Sequence, residues 1–269
     1  MKISPFGEEI SWFLVQIGTM FQKRYRLDAQ QSGWRTSGCC HAGQIAVYWG
    51  KTGTDGILML DGIIFDVDGT LWDARKQVGE AWFEVKYQMT GETTDWSFEK
   101  LSSLFGKEMK AICFELFTNY PEEQALVYGE ECFERELVLL RQNPGIVFDG
   151  VREMLDELRK TYPLYIVSNC QCGYIDVMLD AGNLHDCFAD YLCYGDTLTP
   201  KSETIRTLMA RNGLKNVVYI GDTQGDADAC AEAEVPFLFA GYGFGTVDRE
   251  YPTAKTVADI PAVIAQMEK

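Results

Sequence analysis

The most regular pattern in the chain is a series of short apolar runs, each followed at once by polar or acidic residues. The first run, residues 62–65, is apolar throughout, which predicts a strand buried on both faces of a parallel sheet. Similar runs follow at residues 164–167, 191–193, 217–220 and 237–240. Between the later runs, apolar residues recur every three or four positions, which predicts helices. These helices span residues 151–160, about 174–181, 201–212, and a segment ending at about 234.

Strands that alternate with helices in this way indicate an α/β protein. Connections between parallel strands are right-handed, so the polar ends of the strands should meet at one edge of a single sheet. We therefore expect a Rossmann-like parallel sheet core with helices on both faces.

Residues 74–143 interrupt the alternation, because their apolar residues follow helical spacing throughout. One apolar stripe surrounds Trp82, and a longer periodic segment covers residues 126–140 before a Pro-Gly pair ends it. The aromatic residues of these stripes predict packing surfaces and not a cofactor site. We expect a core made of residues 60–73 and 144–269, with an α-helical domain of residues 74–143 inserted into it.

The N-terminal extension, residues 1–59, differs from the rest of the chain in charge and in pattern. It carries six Lys and Arg residues against four Asp and Glu, whereas the whole chain has a net charge of −16. The stretch 30–38 shows neither helical nor strand periodicity, so we expect little stable structure here. The extension is either a targeting peptide or sequence upstream of a true initiator at Met59. We favour the second, because targeting peptides avoid acidic residues more strictly.

The composition argues against two classes of partner. A net charge of −16 without a basic stripe argues against nucleic-acid binding. No run of 18 apolar residues is present, so we expect no transmembrane helix. Residues 10–21 are apolar, but Glu8 and Glu9 precede them where a signal peptide would carry positive charge. A cytoplasmic protein without a membrane partner is the expectation.

The nine cysteines support this location. They are scattered through apolar surroundings, as is typical of reduced thiols in cytosolic proteins. Cys170-x-Cys172 lacks a matching second pair, and the chain has only two His residues, so a zinc site is not expected.

Polar residues at the strand ends form the candidate site. Asp66 and Asp68 follow the first strand, and their side chains point the same way because side chains alternate along an extended backbone. Two like charges this close are unfavourable unless a cation lies between them or one carries a proton. A metal ion, an acid/base pair, or both would meet that requirement. The polar residues at comparable positions are Thr70, Ser168, Asn169, Lys201, Asp222 and Asp226.

In order and spacing, these residues resemble the motifs of the haloacid dehalogenase-like superfamily of phosphohydrolases, which use an aspartate nucleophile. The matching segments are Asp-Val-Asp-Gly-Thr at 66–70, Ser168-Asn169, Lys201 at a helix start, and Gly-Asp-Thr-Gln-Gly-Asp at 221–226. The resemblance covers residues from about 60 to about 245. The helical insert is similar in position to the cap of phosphoglycolate phosphatases and β-phosphoglucomutases.

The resemblance implies a role for each carboxylate. Asp66 would be the nucleophile that takes up the phosphoryl group, and Asp68 would protonate the leaving oxygen and then activate water. Asp66, the carbonyl of Asp68, Asp222 and Asp226 are the implied ligands of Mg²⁺, which prefers oxygen donors. A cation is needed, because a phosphate charge about 4 Å from a carboxylate is repelled by ~4 kcal/mol at an effective dielectric constant of ~20.

The implied phosphate-binding residues are Ser168, Asn169, Lys201 and Thr70. Thr199-Pro200 predicts a helix start that places Lys201 in the first turn, where a cation opposes the helix dipole. Such a departure from a local rule is expected where function demands it, and a solvated surface lysine is the alternative. Ser168 and Asn169 are equally compatible with an ordinary helix N-cap, and Thr70 with a turn residue.

Within the superfamily, Asp68 favours phosphoryl chemistry, because the dehalogenases lack this second aspartate. We expect an enzyme acting on phosphoric monoester bonds, namely a Mg²⁺-dependent phosphatase of a small, phosphoglycolate-like phosphate ester with an aspartyl-phosphate intermediate. A mutase of the β-phosphoglucomutase type shares all four motifs and is the first alternative. A catalytically silent phosphate-binding protein is the second, since fold does not fix function.

Overall fold

A computed structural model describes residues 60–269 of the chain, so the predictions for residues 1–59 lie outside the described residues and stay predictions. The described strands are β1 (Gly62–Phe65), β2 (Trp72–Asp73), β3 (Ile146–Val147), β4 (Leu164–Ser168), β5 (Asp190–Cys193), β6 (Val217–Gly221), β7 (Phe237–Ala240) and β8 (Thr253–Ala254). Six of them form one sheet in the order β5-β4-β1-β6-β7-β8, and every neighbouring pair is parallel.

Helices connect these strands. The helices of the described part are α1 (Arg75–Thr90), α2 (Phe98–Ser102), α3 (Met109–Leu116), α4 (Glu122–Gln142), α5 (Val151–Leu158), α6 (Tyr174–Gly182), α7 (Tyr194–Thr197), α8 (Lys201–Asn212), α9 (Gln224–Ala233) and α10 (Ile260–Met267). Two short 3₁₀ turns, His185–Cys187 and Val257–Asp259, complete the order.

The side chains of β1 alternate between two hydrophobic cores, one on each face of the sheet. Ile63 and Phe65 pack in the core that includes residues of α5, α6 and α10, whereas Ile64 packs with residues of α8 and α9. All three side chains are fully buried, which explains why the run shows no polar alternation. The predicted α/β fold with helices on both faces of a parallel sheet is confirmed.

The helical insert leaves and re-enters the core through a pair of adjacent connectors. Strand β2 precedes α1, β3 follows α4, and the two strands pair antiparallel, with Trp72 opposite Val147. Helices α1 and α4 pack against each other within the insert. The insert is helical, as expected, while its division from the core at residues 74–143 stays a prediction.

Several elements differ from the sequence-based expectation. Helix α8 spans the expected residues, but its N-cap is Pro200 and not Thr199. Strand β8 and helix α10 were not predicted, and neither was the pairing of β2 with β3. No helix among residues 60–269 combines the length and the apolar character needed to cross a membrane.

Candidate functional site

The carboxyl ends of three adjacent strands carry the candidate residues. Asp66 directly follows β1, Ser168 ends β4, and Asp222 directly follows β6. Strand β1 lies between β4 and β6, and Phe65 pairs with Ile166 on one side and Ile220 on the other. This register brings the three side chains to the same edge of the sheet, as the parallel topology requires.

Lys201 is the cation at this edge. Its side chain is buried, and its Nζ donates to Asp66 Oδ1 at 3.0 Å and to Asp226 Oδ1 at 2.5 Å. Burial disfavours the ammonium charge, but the carboxylates of Asp226 and Asp66 outweigh burial and raise the pKa of Lys201. The alternative of a solvated surface lysine is therefore wrong. The two carboxylates also offset the unfavourable position of this cation at the start of α8.

Three buried carboxylates converge beside Lys201. Asp66, Asp222 and Asp226 each offer an oxygen atom, and these atoms all lie within 4.8 Å of one another. Burial raises the pKa of Asp66 to about 6 although Lys201 lowers it, and burial with repulsion from Asp226 and Asp66 raises the pKa of Asp222 well above its usual range. Several carboxylates around one ammonium group leave an excess of negative charge at this edge.

The donor set fits a divalent cation such as Mg²⁺. Asp222 Oδ1 is buried and has no hydrogen-bond partner within the described part of the chain. A buried, unpartnered carboxylate oxygen among like charges is unfavourable, and a cation bound by Asp66, Asp222 and Asp226 would satisfy it.

The backbone around Asp222 is built to admit its carboxylate. Gly69 has a φ of +75°, and a Cβ atom there would lie 2.1 Å from Asp222 Oδ2. A Cβ atom at Gly243 would lie 2.3 Å from Asp222 Cβ. Asp222 Oδ2 accepts hydrogen bonds from the backbone N–H groups of Phe244 at 2.7 Å and Gly245 at 3.3 Å. The loop after β7 thus holds one carboxylate oxygen and leaves the other for a ligand.

Asp68 has a different environment. Its Oδ1 accepts hydrogen bonds from Tyr174 Oη at 2.8 Å and from Trp72 Nε1 at 3.2 Å. Burial raises the pKa of Asp68 to about 8, with the hydrogen bond from Tyr174 opposing this shift and Asp66 adding to it. A carboxyl group with this pKa carries a proton near neutral pH and can donate it.

Ser168 and Asn169 line the same cavity as Asp66 and Asp68. Neither residue is a helix N-cap, because α6 begins at Tyr174 with Gly173 in that position. Asn169 Nδ2 donates instead to the carbonyl oxygen of Gly106, at 2.9 Å, and so joins the edge of the sheet to the helical insert.

Lys201, Asp222 and Asp226 meet Asp66 without lining this cavity. Thr70 does not line the cavity either. Its side chain is fully buried, its Oγ1 has no hydrogen-bond partner among residues 60–269, and it is not part of the cavity wall. Its backbone carbonyl accepts a hydrogen bond from Tyr242 Oη at 2.8 Å. These contacts indicate a residue that shapes the turn after Asp68.

The insert closes over Asp66 and Asp68 and leaves a cavity of about 40 Å³. One water molecule needs roughly 10–15 Å³ by this measure, so the closed cavity holds only a few small groups. The apolar wall comes from the insert and consists of Val78, Trp82, Phe105, Met109, Ile112 and Phe133.

Glu136 is a cavity residue that the sequence prediction missed. It is buried in α4, its Oε2 accepts from Trp82 Nε1 at 2.5 Å, and its Oε1 accepts from Gln171 Nε2 at 3.0 Å. Burial raises the pKa of Glu136 to about 7, while these two hydrogen bonds lower it. The available signal was its position on the same buried stripe of the helix as Cys132 and Leu140.

Tyr174 and Gln171 were also missed. Tyr174 is a buried residue of the apolar stripe of α6, and nothing in the sequence distinguishes it from a packing residue. Gln171 lies in the loop after β4, where a polar residue is ordinary. Their contacts with Asp68 and Glu136 are visible only in three dimensions.

A parallel sheet with clustered carboxylates and a buried lysine at its carboxyl edge, under a helical insert, is the arrangement expected for a protein of the haloacid dehalogenase-like class. The family model described as haloacid dehalogenase-like hydrolase matches residues 63–240. The chain belongs to this family, and the predictions of the family and of a hydrolase are confirmed.

Individual relatives span most of the chain. This chain is 28% identical over 227 residues to a 5'-nucleotidase of Pseudomonas aeruginosa, a match that covers 80% of this chain and 98% of that protein. It is 25% identical over 199 residues to a phosphoglycolate phosphatase of Aquifex aeolicus, covering 71% of this chain and 89% of that protein. The structure of a β-phosphoglucomutase from Clostridium difficile superposes with a TM-score of 0.63 at 17% identity, covering 78% of this chain and 97% of that chain, which shows a shared fold.

Proposed function

We propose that the protein is a Mg²⁺-dependent phosphatase that hydrolyses a small phosphomonoester through an aspartyl-phosphate on Asp66. The observation that carries this proposal is the position of Asp66. Its carboxylate lies in the cavity with Asp68 and is held by the buried ammonium group of Lys201, beside the unpartnered oxygen of Asp222. A nucleophile, an acid and the ammonium group of Lys201 are thereby combined in one site, next to carboxylates that would hold Mg²⁺.

The residues divide the reaction into two steps. First, a carboxylate oxygen of Asp66 bonds to phosphorus, the bond to the leaving oxygen breaks, and Asp68 gives that oxygen its proton. Asp68, now ionised, then takes a proton from water, whose oxygen attacks phosphorus and releases phosphate from Asp66. Bound Mg²⁺ would neutralise phosphate charge next to the carboxylates. Lys201, Ser168 and Asn169 are the proposed phosphate ligands, and for Thr70 this role stays a prediction.

Two curated relatives support this substrate class, since one is named a 5'-nucleotidase and the other a phosphoglycolate phosphatase. The fold alone does not separate a phosphatase from a mutase, because a β-phosphoglucomutase shares it. A cytoplasmic location and the absence of nucleic-acid and membrane partners stay predictions.

Release of inorganic phosphate from a panel of small phosphomonoesters tests the proposed function. We expect turnover with Mg²⁺, none after chelation with EDTA, and recovery when Mg²⁺ is restored. Asp222→Asn should need more Mg²⁺ for half-maximal rate, because it removes a charge from the proposed metal site. Turnover in EDTA equal to that in Mg²⁺ would contradict metal dependence. Conversion of a sugar phosphate to its isomer without release of phosphate would indicate a mutase.

The residues that line the cavity also indicate which leaving groups the substrate can have. Glu136 lines the cavity, and both its oxygens accept hydrogen bonds from N–H donors. Lys107 also lines the cavity, and it forms an ion pair with Glu115. The leaving group therefore meets the carboxyl group of Glu136, while the lysine of the cavity wall is already paired with another carboxylate. This arrangement favours a short leaving group that ends in a hydroxyl or ammonium group. It disfavours a terminal carboxylate, as in phosphoglycolate.

Replacing Glu136 by Gln should change this selectivity. The wild type should prefer glycerol phosphate or phosphoethanolamine to phosphoglycolate, and Glu136→Gln should raise kcat/KM for phosphoglycolate, relative to the other two, by roughly tenfold or more. The reason is that Glu136 is mostly ionised above its pKa of about 7, and a like charge about 4 Å away contributes up to ~4 kcal/mol of repulsion at an effective dielectric constant of ~20. The kinetics are therefore measured above pH 7. Kinetics on the three esters measure the effect.

Glu134→Gln is the matched control, because Glu134 lies on the same helix but is exposed. Its selectivity should equal that of the wild type. An unchanged ratio of kcat/KM values in Glu136→Gln, or a wild type that prefers phosphoglycolate, would contradict this interpretation of the cavity.

A further inference from the structure

Three thiols and a carboxylate meet beside the proposed active site, although they come from different parts of the chain. Cys170 and Cys172 lie in the loop after β4, Cys193 ends β5, and Asp196 lies in the short helix α7. Strands β4 and β5 are parallel neighbours, with Ser168 directly opposite Cys193. This register lays the loop after β4 against the end of β5.

The ligand atoms of three of these residues converge on one point. Cys172 Sγ lies 3.4 Å from Asp196 Oδ1, and Cys193 Sγ lies 3.1 Å from Asp196 Oδ2. All three ligand atoms lie within 4.8 Å of one another. The backbone N–H of Cys193 donates to Asp196 Oδ2 at 2.9 Å and so orients the carboxylate. The thiol of Cys170 contacts that of Cys193.

The backbone at Gly195 allows Cys172 and Asp196 to lie close together. Gly195 precedes the carboxylate, and a Cβ atom at this position would lie 2.4 Å from the backbone nitrogen of Cys172 and 2.8 Å from its Sγ. Any larger residue would push Cys172 away from Asp196. Cys172 and Asp196 are exposed while Cys193 is buried, so an ion from solvent can reach the cluster.

We propose that Cys172, Cys193 and Asp196 form a binding site for a thiophilic divalent cation such as Zn²⁺, with water as the fourth ligand on the exposed side. The second ligand pair that Cys172 lacks in its own loop is then Cys193-x-x-Asp196, in which a carboxylate takes the place of a second cysteine. Zn²⁺ binds thiolate sulfur, carboxylate oxygen and water, and four such ligands satisfy its tetrahedral geometry. The site differs in kind from the oxygen-only set of Asp66, Asp222 and Asp226, which suits Mg²⁺.

In the metal-free protein the thiols serve as hydrogen-bond donors to Asp196. Burial, with the negative charge of Asp196, raises the pKa of Cys172 to about 12, so its thiol is protonated at neutral pH. Binding of a cation would ionise the coordinating thiols and release their protons to solvent. The cation would also fix the loop that carries Gln171, which lies between the two cysteines and donates to Glu136.

Cobalt(II) titration of the full chain tests the site. Metal-stripped protein is kept reduced with a phosphine and titrated with Co²⁺, and the thiolate-to-cobalt charge-transfer absorption is recorded. We expect saturation at about one equivalent and loss of the band when Zn²⁺ is added. Cobalt held by Asp66, Asp222 and Asp226 gives no such band, because those ligands are oxygens. The readout is therefore independent of the proposed phosphatase activity.

Variants assign the band to residues. Cys172→Ser removes an exposed thiol and should abolish the band or raise the Co²⁺ concentration at half-saturation by about tenfold or more. Asp196→Asn should also raise this concentration. A variant with both Cys39→Ser and Cys40→Ser is the control for the thiols outside the described residues, and it should titrate like the wild type. The proposal is overturned if the reduced wild type gives no band, if Cys172→Ser retains it, or if the control loses it.

Discussion

Replacing Asp66 by Asn should reduce turnover of every phosphomonoester substrate by at least about 10⁴-fold, as expected when a covalent nucleophile is removed. An amide is a poor nucleophile, so no phosphoenzyme should form. The fold should survive the change, because burial disfavours the charge on Asp66 and Lys201 keeps its contact with Asp226 at 2.5 Å. Thermal unfolding should therefore show a melting temperature no lower than that of the wild type.

Rapid quench followed by intact-mass measurement separates this role from a purely structural one. With an aryl phosphate, the wild type should show a transient adduct of one phosphoryl group, and Asp66→Asn should show none. Asp149→Asn is the control, because Asp149 is exposed and does not line the cavity. Its kinetics should match those of the wild type. A phosphoryl adduct on Asp66→Asn would show that another residue is the nucleophile.

The sheet and its polar edge could be predicted because their signals are local. Strand β1 is a run of apolar residues that ends abruptly at Asp66, and parallel topology then places such ends together. Lys201 could be assigned to the site because a cation at a helix start breaks a local rule. Its ion pairs with Asp66 and Asp226 show what offsets that cost.

Some elements were missed because they are too short to show a periodic pattern. Others were missed because their contacts arise only from packing in three dimensions. Strands β2, β3 and β8 contain two residues each, which is too short to show a period of two. Glu136 carried a signal, an acidic residue on a buried stripe, but its partners Trp82 and Gln171 come from other elements. The meeting of thiols at the end of β5 depends on the register between β4 and β5, which residue spacing does not encode.

Asp68→Asn should behave differently from the variant of its neighbour. The proposed roles give Asp68 the proton for the leaving oxygen, and its raised pKa of about 8 keeps that proton available at neutral pH. With an alkyl phosphate, whose leaving oxygen needs a proton, the kcat of the variant should be about 10²–10⁴-fold lower than that of the wild type. The asparagine can still accept the hydrogen bonds from Tyr174 and Trp72, so the side chain should keep its place.

An aryl phosphate resolves which step Asp68 serves, because its leaving group departs without a proton. Attack by Asp66 should then be less impaired than hydrolysis of the intermediate, which still needs a base to activate water. Phosphoenzyme should accumulate on Asp68→Asn to a higher level than on the wild type, as measured by rapid quench and intact mass with the same ester. Wild-type turnover of an alkyl phosphate by Asp68→Asn would remove Asp68 from acid/base catalysis. Equal loss on alkyl and aryl esters without accumulation would assign it a role in positioning Asp66 instead.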